Sequence, residues 1–333
     1  MMTYDVVTFG EAMVRLSSPD YRRLEQTPTL DVSVGGAELN VAAGVARLGL
    51  ASAWVSRLPT NPLGRLIANK GREFGVDVGH VIWVDGERAG LYFIEHGAAP
   101  RATQVIYDRK ESAFAGIRPG MVDWRALLSR ARLLHVGGIT PALSASAAQT
   151  QREALVAARA AGCLVSYDLN YRAALWSLEE ARAAQLPIME FVDILVTSLP
   201  DQPNVTELIS GESGTDPAEV ARRLAERFGF RAVLVTMRGT PSVWRTTWTS
   251  IVWAAGEVLA DRRYEIEAVD RIGGGDACVA GFLVGYLEGD PGRGVRLGNA
   301  LSALKQTSPT DWPWPTRAEA EALIADGGTH LVR

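Results

Sequence analysis

Short apolar runs rich in valine, leucine and isoleucine alternate along this chain with longer stretches whose apolar residues recur at helical spacing. YDVVTF at 4–9 is a β-rich run ending at Gly10-Glu11, and ELNVAAGVARL at 38–48 has the helical period. The alternation continues with a strand at 52–57, a helix at 63–74, strand-like LLHVGG at 133–138 and a helix at 145–160. Then come a strand at 163–170, a helix at 179–190, a strand at 193–198, a helix at 216–228 and a strand at 231–237. Strands separated by helices of roughly 10–15 residues predict βαβ units and a mostly parallel sheet covered on both faces. The reading is one doubly wound α/β domain over residues 1–333, with no repeat, low-complexity tract or long linker.

Two stretches break the pattern. Residues 12–34 are polar and turn-rich, and residues 81–114 carry short β-like runs separated by turn signals. Strands inserted at these places are expected to pair into a small sheet on the edge of the domain, forming a lid over a cleft.

Composition narrows the function. With 333 residues, 47% of them apolar and 22% charged, the chain can bury a substantial core. Its formal charge of −4 supplies no basic field for nucleic acid, so an anionic ligand would need local arginines. Cys163 and Cys278 stand far apart in apolar surroundings and read as reduced core thiols. The N-terminus lacks a basic segment followed by a long apolar stretch, and no run of about 18 apolar residues occurs. A soluble, cytoplasmic protein with no membrane partner is expected.

The strongest local chemistry lies in AVDRIGGGDACVAGFLVGYLEG at 268–289. Gly273, Gly274 and Gly275 allow backbone N–H groups to converge at a helix N-terminus, where unpaired amides and the dipole favour an anion. Asp276, in the first turn, is suited to take a proton from an attacking hydroxyl. Taken alone, a glycine turn with an aspartate cap explains the segment equally well. A second element is VGGAELNVAAGVARLG at 34–49, where Gly35 and Gly36 permit close approach of a ligand and Asn40 offers a donor and acceptors to a polyhydroxylated one. Neither a G-x-G-x-x-G after the first strand nor a G-x-x-x-x-G-K-[ST] is present, which weakens dehydrogenase and P-loop readings.

Together, GGAELNVAAGVARLG and DRIGGGDACVAGF resemble the two signatures of the ribokinase-like (PfkB) carbohydrate kinases, in the same order and at the same ends of the chain. The resemblance extends over nearly the whole length and implies a ribokinase-like α/β fold with a β-sheet lid, ATP and Mg²⁺, and Asp276 as general base. PNVTE at 203–207 is similar to the family's N-x-x-E element, implying Asn204 and Glu207 near magnesium through water and Asn204 near ATP. VTMRG at 235–239 resembles the strand and turn beside ATP, implying nucleotide contacts from Thr236, Arg238 and Gly239 along with Gly273 and Gly275. Many relatives also build a monovalent-cation site near the second signature. Here Arg271 follows Asp270, where the family usually has a small or hydroxylated residue.

Segments 90–95, 105–114, 168–176 and 304–312 resemble 2-keto-3-deoxygluconate kinases more closely than ribokinases or adenosine kinases. That resemblance implies sugar-acid contacts from Tyr92, Tyr107, Arg109, Arg172 and Asp311, alongside Gly35, Gly36, Asn40 and Asp276. Tyr107 and Arg109 lie two apart, on one face of a strand, and Arg109 and Arg172 could both address a carboxylate. The expected reaction is ATP-dependent phosphorylation of the terminal hydroxyl of 2-keto-3-deoxygluconate to the 6-phosphate. The rivals are the galactonate epimer, a neutral sugar such as fructose, or a non-catalytic sugar-binding protein on the same fold. The tryptophans read as packing or edge-strand residues, the histidines lack metal-like spacing, and a homo-oligomer, a dimer or larger, is expected from the uncovered face of the lid.

Overall fold

The computed structural model of the chain describes residues 3–199, 208–209 and 214–326. Its strands are β1 (Tyr4–Phe9), β2 (Met13–Ser17), β3 (Asp31–Gly35), β4 (Ser52–Pro59), β5 (Val81–Val84), β6 (Leu91–Glu95) and β7 (Gln104–Asp108). They continue with β8 (Ala131–Gly137), β9 (Leu164–Asp168), β10 (Ile194–Leu199), β11 (Ala232–Gly239), β12 (Arg245–Ala254), β13 (Glu257–Ala260) and β14 (Tyr264–Glu267). The helices are α1 (Ala37–Arg47), α2 (Pro62–Glu73), α3 (Trp124–Leu128), α4 (Thr140–Leu143) and α5 (Ala145–Ala161). After them come α6 (Leu178–Gln185), α7 (Pro217–Phe228), α8 (Gly274–Leu287), α9 (Pro291–Lys305) and α10 (Arg317–Asp326).

The main sheet has the order β13-β12-β11-β10-β9-β8-β1-β4-β5, with β14 also pairing with β12. From β11 to β5 every pairing is parallel, and β12 closes that run antiparallel to β11. Burial on both faces explains why the central strands read as continuous apolar runs. Val7, Leu134, Val165, Leu195 and Val233 face one core, with residues of α3, α5 and α7. Their neighbours Val6, Leu133, Ile194, Ala232 and Leu234 face the other, with residues of α1, α8 and α9. Both cysteines are buried free thiols, and among the described residues no helix is long and apolar enough to cross a membrane.

Helix starts follow the local chemistry. Asn61 caps α2 through the amides of Leu63 and Gly64, Ser144 caps α5, and Ser177 with Glu180 forms a capping box on α6. The helix expected over 179–190 ends sooner: α6 stops at Gln185 and a 3-10 turn runs Leu186–Phe191. Pro187 lacks the N–H that the next α-helical bond requires.

Four strands form a separate sheet in the order β3-β2-β6-β7. The excursion at 81–114 does not all belong to it. β5 pairs with β4 at the edge of the main sheet, and only β6 and β7 join the small one. The register places Ser33, Arg15, Tyr92 and Tyr107 in one cross-strand row, and Val32, Leu16, Phe93 and Ile106 in the adjacent row. Because successive side chains alternate, the first row faces the main domain and the second faces outward. Val32 and Ile106 are exposed on that outer side.

Candidate active site

The parallel order reverses at β1, which has β4 on one side and β8 on the other. Chains folded this way open a crevice at the carboxyl ends of the strands beside the reversal. Here a cleft of about 1300 Å³ lies there, roofed by the small sheet. Such a volume exceeds the few hundred to about 1000 Å³ typical of single small-molecule pockets.

Helix α8 points its N-terminus into this cleft. Gly273, at φ +84°, caps it in the left-handed region that glycine tolerates, and a side chain there would strike the backbone carbonyl of Asp311. Gly275 has open space where a side chain would stand, so the first turn presents backbone to the cleft. Gly274 faces the other way, against Gln306, and does not line the cleft. Asp276 lies at the cleft floor and accepts a hydrogen bond from Asn40 Nδ2 at 2.7 Å. Its carboxyl is pushed up to about 7, chiefly by loss of water, against the pull of Asn40 and with help from nearby Asp311 and Asp168. Asn40 Oδ1 is buried and meets no partner among the described residues.

The small sheet contributes from above. Tyr92 is buried and stacks on Tyr107 with ring centroids 5.9 Å apart. Gly35 sits where any side chain would collide with Tyr92 and Asp311, which explains the glycine there. Arg15, from β2, is 1% exposed and binds two acids, Asp311 at 2.6 Å and Asp270. Ser17 and the ring nitrogen of His96 lie beside the same guanidinium, at 2.9 and 3.4 Å. Asp270 is further held by Lys305, 0% exposed, whose Nζ donates to the Asp270 carbonyl at 2.9 Å. Two buried cations therefore secure the strand-to-helix loop that delivers the glycines and Asp276.

The two arginines expected to share one task have different surroundings. Arg109 is buried and engaged side-on by Glu11, with Nε at 2.8 Å and Nη2 at 2.5 Å. That pair occupies one edge of the guanidinium and leaves the Nη1 end for a ligand. Arg172 is exposed at the cleft wall, with a hydrogen bond only to the carbonyl of Tyr171 and no ion pair among the described residues. Asp168, at the end of β9, is raised to about 6 by burial, with Arg172 opposing.

Gly35, Gly36, Asn40, Tyr92, Tyr107, Arg109, Arg172, Asp276 and Asp311 all line the one cleft, although they come from places up to 276 residues apart in number. On the far side Thr236 and Arg238, at the end of β11, line it too, whereas Gly239 pairs with Thr247 and does not. Asn204 and Glu207 lie outside the described residues. Sequence reasoning passed over Arg15, Lys305 and Glu38. Trp244, read as a packing or edge-strand residue, is exposed at the cleft just before β12, edge-on to Tyr21 of the lid at 6.2 Å. The lone acid inside GGAELN was the available signal for Glu38.

A doubly wound sheet with a β-sheet lid, and an aspartate at a glycine-rich helix N-terminus beneath it, define a phosphoryl-transfer class of site. Residues 3–316 match the pfkB family carbohydrate kinases, and the chain belongs to that family. It is a carbohydrate kinase. It is 39% identical over its full length, and that of its relative, to a 2-dehydro-3-deoxygalactonokinase of Haloferax volcanii. It is 32% identical to a 2-dehydro-3-deoxygluconokinase of Thermoproteus tenax, covering 96% of this chain and 94% of the relative. The crystal structure of a 2-dehydro-3-deoxygluconokinase from Thermotoga maritima superposes with a TM-score of 0.93 at 38% identity, covering 97% of this chain and 99% of that one.

Proposed function

We propose that the chain transfers the γ-phosphate of ATP to the terminal hydroxyl of a 2-keto-3-deoxy sugar acid, 2-keto-3-deoxygluconate or its galactonate epimer, giving the 6-phosphate. The observation that carries this reading is the placement of Asp276 and the Gly273–Gly275 turn in the same cleft as Arg172 and Arg109. Kinases of both epimers among the similar proteins support the class of acid.

In this reading Arg172 and the Nη1 end of Arg109 bind the substrate carboxylate, and Tyr92, Tyr107, Asp311 and the Asn40 carbonyl orient the chain of hydroxyls. Asp276 takes the proton of the terminal hydroxyl as its oxygen forms the bond to the γ-phosphorus. The bond from that phosphorus to the bridging oxygen of ADP breaks in line. The backbone of Gly273 and Gly275, with the helix dipole, offsets the charge that builds on the transferred group. Thr236 and Arg238 flank the nucleotide side. Mg²⁺, when bound with the nucleotide, neutralises phosphate charge, and Asn204 and Glu207 are the residues proposed to hold it through water.

A monovalent cation does not fit beside Asp270. Lys305 and Arg15 already take its carbonyl and its carboxylate, and a third positive charge would face two fixed ones.

The test is an ADP-release assay with Mg²⁺ and, side by side, 2-keto-3-deoxygluconate, the galactonate epimer, fructose and ribose. Turnover confined to the two acids is expected, and Arg172→Ala should raise KM for them far more than for any neutral sugar. Preference for a neutral sugar overturns the acid assignment, and silence on all four overturns the reaction.

A further inference from the structure

Glu38 is the second residue of α1 and sits at the point where the sheet order reverses. It is 2% exposed, yet it lines the cleft. Two strand ends make room for it. At Gly10, just past β1, any side chain would overlap the Glu38 carboxyl, and at Gly137, the last residue of β8, it would come within 2.9 Å of Oε1. Space has been cleared on two strands for one buried acid.

That acid is incompletely satisfied. Glu38 Oε1 meets no hydrogen-bond partner among the described residues, although a buried polar oxygen left unpaired costs about 1–3 kcal/mol. No ion pair is formed by Glu38 among the described residues, and charges of Asp276, Arg109 and Asp168 act on it. All three belong to the cleft, so Glu38 stands among the groups expected to surround the sugar. Burial raises its carboxyl to about 8, with help from Asp276 and Asp168, and a hydrogen bond from its own backbone N–H and the charge of Arg109 only partly oppose this. The shift favours the neutral acid, which can donate as well as accept.

We propose that Glu38 is a specificity-determining residue, whose Oε1 hydrogen-bonds a hydroxyl of the bound sugar acid from the floor of the cleft. A hydroxyl is the matching group because it accepts from the acid's O–H or donates to its carbonyl oxygen, whereas the substrate carboxylate is drawn to Arg172 on the wall. A site that hydrogen-bonds a particular hydroxyl distinguishes epimers, since inverting that carbon leaves a buried polar oxygen unpaired. This inference rests on the sugar-acid reading above.

The experiment measures KM for each epimer and for ATP in wild type, Glu38→Ala and Glu38→Gln, with thermal unfolding of each. In the Ala variant we expect KM for the preferred acid to rise about tenfold to a hundredfold. KM for ATP should hold within about twofold, and the preference between epimers should narrow. Glu38→Gln, which keeps a donor and an acceptor in the same place, should recover most of the loss. Unchanged sugar KM and epimer preference in the Ala variant overturn the proposal, as does an equal loss for ATP and sugar. If the Ala variant does not fold, Glu38→Asp decides: withdrawing the acid should raise sugar KM, and no change overturns the proposal. The wild-type arm separates this from the reaction itself. An enzyme that takes only neutral sugars sinks the acid assignment, and Glu38 is then judged on the sugar actually phosphorylated.

Discussion

Asn40 donates its side-chain amide to Oδ2 of Asp276 at 2.7 Å, joining α1 to the first turn of α8. An ionised or neutral carboxyl can accept that bond, so the amide orientation of Asn40 follows, and its Oδ1 is left turned toward other donors. One Asp276 oxygen is thereby committed to Asn40.

If Asp276 is the base, Asp276→Asn should lower kcat by about 10²–10⁴ while ATP and sugar KM stay close to wild type. The amide keeps the shape and a hydrogen bond but cannot take the proton. Steady-state kinetics decide this, and near-normal kcat would remove Asp276 from the mechanism.

The raised carboxyl also sets a pH dependence. Asp276 accepts a proton only when ionised, so kcat/KM should climb with pH and level off above about 7. Asn40→Ala removes a bond that favours the ionised form and should move the midpoint upward. The same shift acts on stability with the opposite trend. Between the ordinary aspartate value of 3.8 and about 7 the folded chain holds a proton that the unfolded chain has released, so this group's contribution to stability falls as pH rises. Asp276→Asn should therefore gain in unfolding midpoint over wild type across that window, measured by thermal melts at stepped pH.

Arg15 bridges two buried acids from a strand of the lid. Arg15→Met leaves Asp270 and Asp311 without their cation and should cost about 3–5 kcal/mol in urea unfolding. Because these acids support the glycine loop, kcat should fall as well. A variant as stable as wild type would show that the bridge contributes little.

The buried ammonium of Lys305 leads to a prediction about salt. Replacing KCl by tetramethylammonium chloride at constant ionic strength should leave turnover unchanged, because the positive charge beside Asp270 is carried by the chain. A requirement for potassium would overturn that reading of the site.

What the chain determined by itself was everything set by near neighbours. Short apolar runs alternating with helical patterning located the βαβ succession, and the glycine turn with Asp276 was readable because an anion cradle needs only consecutive residues at one helix start. Tyr92, Tyr107, Arg109, Arg172 and Asp311 were reachable through resemblance to the sugar-acid kinases. Tertiary structure decided which charges are occupied. Arg109 is taken on one edge by Glu11, 98 positions away, and Arg15 joins acids 255 and 296 positions away. It also assigned β5 to the main sheet and not to the lid, and left Glu38 Oε1 without a hydrogen-bond partner among the described residues. Such pairings depend on distances across a folded sheet, and the desolvation that gives a buried charge its chemistry exists only once the sheet has closed over it.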